Sequence, residues 1–246
     1  KIGFPSDASE AILTGPLFYV GSPLYKCPDK KGAKMLEIDL SEMGNTYLPR
    51  CIYSRKTEIQ EYRSGLSALI WNNSARHTDL YRIAFRRMLN LNMELTLIGA
   101  LIPPGVAHVN TIESLAFESE RRLVEAYPLW ISLPFDFLVK TTGLADLRES
   151  SLRFFPWANV SETAMHRALR LSCLTEQYAP LWNRQAQCLK VMPWSSNDKR
   201  LHVEDMDSQD QPNSWRRSSA IRSDFARRLA LVEIDVLVAQ ALGLTL

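Results

Sequence analysis

The sequence predicts an α+β fold, with a mixed or antiparallel sheet over residues 1–157 and long helices over residues 161–245. Three observations carry this expectation. The first two thirds hold short apolar runs cut by Gly and Pro, which is the pattern of strands. From residue 161 the apolar residues recur every three or four positions, which is the pattern of helices. A composition of 46% hydrophobic and 23% charged residues belongs to a globular chain, and 246 residues bury enough surface to need no disulfide or metal staple.

The elements follow in order. Residues 17–20 (Leu-Phe-Tyr-Val) and 35–40 (Met-Leu-Glu-Ile-Asp-Leu) read as strands, with a turn at 27–33 between them, where Pro28, Asp29 and Gly32 stand. Residues 47–53 are a further strand candidate, and 80–89 lean to strand. Residues 94–102 read as a buried strand ended by Pro103-Pro104-Gly105. Residues 108–117 alternate and are expected to pair with it or lie beside it. Residues 119–140 are long enough for a helix, which Pro128 and Pro134 break or kink. Residues 152–155 read as a short strand. Ser161 caps a helix whose apolar face is Ala164, Ala168, Leu171 and Leu174. The polar stretch 195–214 reads as an exposed linker or long loop. The last helix is expected over about 218–242, with a buried face of Ile221, Phe225, Leu229, Val232, Val236 and Ala239 or Gln240, and with Gly243 at its C-terminal end.

Charge is uneven along the chain. The net charge is only +2. Arg50, Arg55, Lys56, Arg63, Arg76, Arg82, Arg86 and Arg87 nevertheless crowd residues 48–90, opposed by Glu58, Glu61 and Asp79. Arg216, Arg217, Arg222, Arg227 and Arg228 form a second group. Arginine suits bidentate contact to phosphate and to guanine, and such segregation points to one basic face. Cys27, Cys51, Cys173 and Cys188 show no C-x-x-C pair, and His77, His108, His166 and His202 show no ligand spacing, so no metal site is expected. Scattered thiols read as reduced and the chain as cytoplasmic. No apolar run approaches the length of a membrane span. A first residue of Lys, and an ending just past a helical pattern, lead us to expect a piece of a longer protein.

Sequence motifs of catalysis are missing. There is no P-loop, no G-x-G-x-x-G, no H-E-x-x-H and no G-x-S-x-G. Two stretches nevertheless form a recognisable pattern: Tyr81-Arg82-Ile83-Ala84-Phe85-Arg86-Arg87-Met88, then Glu94-Leu95-Thr96-Leu97-Ile98-Gly99-Ala100-Leu101-Ile102-Pro103-Pro104-Gly105. Leu133-Pro134-Phe135-Asp136-Phe137-Leu138-Val139-Lys140 comes next, then Arg227-Arg228-Leu229-Ala230-Leu231-Val232-Glu233-Ile234-Asp235-Val236-Leu237-Val238-Ala239. The ordered set resembles the region downstream of the catalytic domain in large adenine-specific DNA methyltransferases. These are the type IIG restriction–modification enzymes and the related BREX or DISARM phage-defence methyltransferases. The resemblance implies a target-recognition-like α+β domain at 1–160 and a helical bracing region at 161–246, with the polar linker at 195–214. It implies double-stranded DNA and the catalytic domain of the same polypeptide as partners. S-adenosylmethionine is the cofactor expected of the full-length protein. The cofactor loop and the Asn-Pro-Pro-Tyr motif are absent here, so this chain is expected to be inactive and to hold no cofactor, while its parent methylates DNA.

A recognition module needs phosphate contacts to position it and base-edge contacts to specify. The candidates are Arg50, Arg55, Asn72, Arg76, His77, Arg82, Arg86, Arg87, His108 and Lys140. Strand alternation puts Arg82 and Arg86 on one face and Arg87 on the other. Arg86 is expected as the exposed contact and Arg82 as a structural ion pair, with Glu94 a possible partner. Structural readings stand beside these. Surface arginines pair with nearby acids, His108 serves as a hydrogen-bonded structural residue, tryptophans fill cores, and Gly143 ends a helix. The competing functional reading is a protein-interaction module that binds a partner subunit or a regulator.

Overall fold

A computed structural model describes residues 2–206 and 214–245. In chain order it contains β1 (Ile12–Leu13), β2 (Lys26–Pro28), β3 (Met35–Glu37), α1 (Ile59–Ser64), β4 (Ala68–Leu69), β5 (Asn72–Arg76), β6 (Arg82–Arg86), β7 (Gly99–Ile102), β8 (Ala107–His108) and β9 (Ile112–Leu115). The helices α2 (Glu120–Trp130), α3 (Leu133–Thr142), α4 (Glu149–Leu152), α5 (Glu162–Ser172), α6 (Ala179–Gln185) and α7 (Asp224–Ala241) follow. The fold is α+β, as the sequence predicts.

Its sheets are small. β6 is the middle strand of the largest, antiparallel to β7 with Arg82 opposite Ile102 and to β9 with Ile83 opposite Leu115. The alternating segment thus pairs with β6 and not with β7. On one face of this sheet Phe85 meets Trp130, which packs on Phe135 and Phe155 at centroid distances of 4.8–5.3 Å. This close approach requires Gly99: a Cβ there would lie 3.0 Å from the Trp130 carbonyl oxygen and 3.2 Å from the Phe85 ring. The opposite face, which carries Arg82 and Arg86, is covered by the segment around β1 and β8, a short parallel pair.

Other expectations need correcting. Residues 17–20 make no strand; a 3-10 turn at Gly15–Leu17 precedes an isolated bridge between Tyr19 and Ser22. Residues 47–53 are irregular apart from the Gly3–Cys51 bridge. Residues 152–155 are not a strand either, because α4 occupies Glu149–Leu152; an apolar run this short does not discriminate. Pro128 does not end its helix: it lies inside α2, which continues through it to Trp130. Pro134 sits in the first turn of α3, where its missing N–H costs nothing, and the chain breaks before it at Ile131 and Ser132.

α5 is the hub of the helical part. Every residue from Thr163 to Ser172 is buried, and Ser161 caps the helix by accepting from the Ala164 N–H at 3.3 Å. α7 and α2 pack against it. The buried cluster runs without a break from Ala11 to Val238, so one core crosses residue 160. Residues 207–213 of the polar stretch lie outside the described residues. Its earlier part is anchored: Leu201 and Asp205 are buried, and the Ser195 N–H donates to Glu233 at 2.7 Å.

Three of the second arginine group, Arg217, Arg222 and Arg227, are structural cement, while Arg216 and Arg228 are exposed. The Arg227 guanidinium donates to the carbonyls of Leu171, Ile221 and Gly21, Arg222 to those of Leu40 and Leu174, and Arg217 to those of Ser41 and Met43. Arg170 reaches the Asp205 carbonyl at 2.9 Å. Neutral carbonyls solvate these cations only in part, and burial pulls Arg222 and Arg227 down to about 10.

α3 illustrates how acids position elements. Asp136 is buried and accepts from the Thr96 and Leu97 N–H groups, each at 2.6 Å, so it fixes the chain just before β7. At the start of α3, Asp235 of α7 accepts from the Leu133 N–H at 2.7 Å. Burial, assisted by the nearby Asp136 charge and opposed by that hydrogen bond, pushes the Asp235 carboxyl up to about 6. A raised carboxyl favours the folded state below the ordinary carboxylate range, and that advantage is lost as pH rises through about 6. Asp235→Asn keeps an acceptor for Leu133 without the charge. It should gain about 1–2 kcal/mol over the parent at pH 8, after discounting for partial exposure, and nothing at pH 4. Denaturant melts at the two pH values check this, and an equal difference at both would refute it.

Candidate nucleic-acid interface

The basic stretch divides into two parts with different fates. Arg82 is fully buried; its guanidinium donates to the Val106 carbonyl and, at 3.4 Å, to Ser114 Oγ, while its Nε finds no partner. Among the described residues no carboxylate pairs with it, so the expected ion pair is replaced by a carbonyl and a hydroxyl. Burial draws it down to about 10. Arg86, expected as the exposed contact, is half-buried. It donates to the Gly15 carbonyl at 2.8 Å and to that of Phe18 at 2.6 Å. The reason is topological: the first eighteen residues fold over this face of the sheet and place their carbonyls on the arginines. Arg87 points the other way, as strand alternation requires, with Nε 3.9 Å from Asp146.

His108 joins the Arg82 environment. Its Nε2 lies 2.9 Å from Ser114 Oγ, and burial together with the Arg82 charge pulls its imidazole down to about 4. His77, half-buried, is lowered for the same two reasons. His108 is therefore neutral near pH 7, and His77 is shifted in the same direction. Lys140 is also committed: it pairs with Asp136 at 3.4 Å and donates to the Glu94 carbonyl. Gly143 beside it has φ +65 and ends α3, so the Lys-Thr-Thr-Gly stretch is a helix terminus.

The other part lies on the periphery. Between residues 52 and 77 only Leu69 is buried, and α1 buries nothing. Here the chain carries Arg55, Lys56, Arg63 and Arg76 against Glu58 and Glu61. Arg55 is tied to the Ser9 carbonyl at 2.5 Å, and Arg50 outside this lobe donates to the Pro28 carbonyl at 2.8 Å and stacks on Phe4. Arg63 is 49% exposed and pairs with Asp79 at 2.8 Å. Arg76 donates to the carbonyls of Asn73 and Arg63, which ties the β4–β5 hairpin to α1. Lys56, Asn72 and Asn73 are exposed, and Asn72 Oδ1 accepts from the Ser74 N–H and hydroxyl.

Sequence reasoning missed the tip of this hairpin. Leu69 faces Asn72 across the turn, so Ile70 and Trp71 form its corner. Ile70 is 97% exposed and Trp71 42%. Turn prediction looks for Gly, Pro, Asn or Asp, and none occupies the corner. A register shift at Ala68 and Leu69 lets the strands connect without a left-handed residue there.

Hollows border this lobe. One of about 320 Å³ is lined by Phe4, Arg55, Lys56 and Glu58 among others, and one of about 370 Å³ by Tyr62, Arg63, Thr78 and Gly105 among others. The apolar cavity between Leu13, Leu24 and Tyr178 holds only about 30 Å³, room for little beyond a water. Among the described residues no three His, Cys, Asp or Glu side chains converge as metal ligands, and no helix is long and apolar enough to cross a membrane. No protein-family model, no curated protein and no solved structure matches this chain.

Proposed function

We propose that the chain is a DNA target-recognition module of a larger, cytoplasmic adenine-specific DNA methyltransferase of the restriction or phage-defence kind. The catalytic domain and S-adenosylmethionine belong to another part of that polypeptide. The observation that carries the reading is the peripheral lobe at 52–77, whose cations, amides and aromatic tip are unburied. Such a surface supplies phosphate contacts through Arg63 and Lys56 and amide contacts to adenine through Asn73. The β6 arginines hold the lobe's platform together and do not touch DNA on this reading.

Duplex binding by the chain should therefore weaken by about fiftyfold between 50 and 200 mM salt, as expected for about three phosphate contacts. Lys56→Ala and Arg63→Ala should each lower the salt slope by about 1, and Arg87→Ala should not. Anisotropy titrations of a labelled duplex measure this, and a flat salt response would sink the proposal. The protein-interaction reading rests on a different surface. Leu133 and Phe137 are exposed one turn apart on α3, as are Val232 of α7, Phe154 and Trp157. An apolar interface of that kind depends little on salt.

A further inference from the structure

The β4–β5 hairpin displays at its corner the two residues that a hairpin corner least needs. Neither Ile70 nor Trp71 helps the turn form, and Ile70 covers nothing. The hairpin is nevertheless held stiffly. Arg76 Nη1 donates to the Asn73 carbonyl at 3.1 Å, its Nε to that of Arg63 at 3.4 Å, and its backbone N–H to Asp79 at 2.9 Å. A braced support presenting bare apolar side chains is a device for inserting them into something.

The occupant is set by the surroundings. The apolar area is two residues wide. Ser67, Asn72, Asn73 and Ser74 around it are exposed and polar, with Arg63 and Arg76 at the base. A protein interface needs roughly 800 Å² of complementary surface per partner, which this tip does not offer. Duplex DNA asks for this combination: cations for the phosphates, amides for base edges, and a narrow apolar wedge for a base step. We infer that the hairpin enters a groove of double-stranded DNA, where Ile70 and Trp71 wedge into a base step and kink the duplex. This rests on the recognition reading above and adds to it a distortion that simple phosphate binding does not produce.

The test uses the full chain and a mixed-sequence duplex of about 20 base pairs, labelled at both ends for energy transfer. Parent protein should bind and shorten the end-to-end distance. The Ile70→Ser/Trp71→Ala variant should keep the parent's melting temperature and salt slope, bind roughly tenfold more weakly, and leave the duplex straight. Trp71→Phe should retain most of the bend. If the parent binds without bending the duplex, or the double variant bends it equally, the wedge is wrong while the recognition reading survives. If the parent fails to bind any duplex at low salt, both fall together.

Discussion

Glu233→Ala should destabilise the protein by about 3–5 kcal/mol, because it takes a carboxylate away from a guanidinium buried in the core. Arg167 on α5 has no exposed surface, and its Nε donates to Glu233 Oε2 at 2.8 Å. The same guanidinium lies 3.8 Å from the Trp194 ring centre and donates to the Met192 carbonyl at 3.1 Å. Glu233 also accepts from Ser195 through its other oxygen. One carboxylate thus joins α5, α7 and the loop at 192–195. Removing it leaves a buried cation and an unmet backbone donor. Replacing both partners, as in Arg167→Met with Glu233→Leu, removes the charges together and should cost less than the single change. A melting temperature lowered by roughly 10 °C for Glu233→Ala, and less for the pair, is the expected pattern. Equal losses in both would show that packing, and not the lost carboxylate, sets the cost.

The second large effect lies one residue further along the same helix. Ile234 is fully buried, so Ile234→Ala should cost about 2–5 kcal/mol through lost burial and the cavity it leaves. Val232→Ala should change stability by less than about 0.5 kcal/mol, since Val232 is 56% exposed. Leu229 is only partly buried and should fall between them. Denaturant midpoints of the three variants decide the matter. A Val232 loss as large as that of Ile234 would contradict the placement of this helix.

That pair of residues shows what the sequence conveys and what it hides. The existence, the end and the C-terminal glycine of α7 are legible from spacing alone, but its start is not: it begins at Asp224 and not near 218, where a 3-10 turn at Arg217–Ser219 stands instead. Its rotation is not legible either. The apolar stripe through Phe225, Leu229, Val232, Val236 and Ala239 looks like the buried face, yet besides Ala239 the core takes Ala226, Arg227, Ala230, Glu233, Ile234 and Val238, while Phe225 and Leu229 only partly pack against it. A hydrophobicity pattern excludes Arg227 and Glu233 from any core, because it has no knowledge of the carbonyls and the arginine that satisfy them. β7 is readable because an apolar run ends at Pro-Pro-Gly, although only Gly99–Ile102 of residues 94–102 forms strand, whereas α4 is too short to separate from a strand.

The candidate site divides along the same line. Arginine density singles out residues 48–90, and alternation assigns Arg82 and Arg87 to opposite faces. What alternation cannot convey is that residues far upstream in sequence cover one of those faces. Arg86 therefore looks like a free contact until the Gly15 and Phe18 carbonyls are seen on it. The hairpin corner was illegible for the opposite reason, since Ile and Trp suggest core and not a turn.

The arginine-to-carbonyl ties between residues 217–227 and residues 21–43 bear on biosynthesis. They join positions 174 to 206 apart in sequence. During translation the early segment emerges about 10–40 s before its clamping arginines, at ordinary elongation rates. The β2–β3 ribbon and the loop after it must wait that long without their final partners. This long-range seam closes late, and a ribosome stalled before residue 217 would hold a chain whose residues 21–43 still lack these arginine ties.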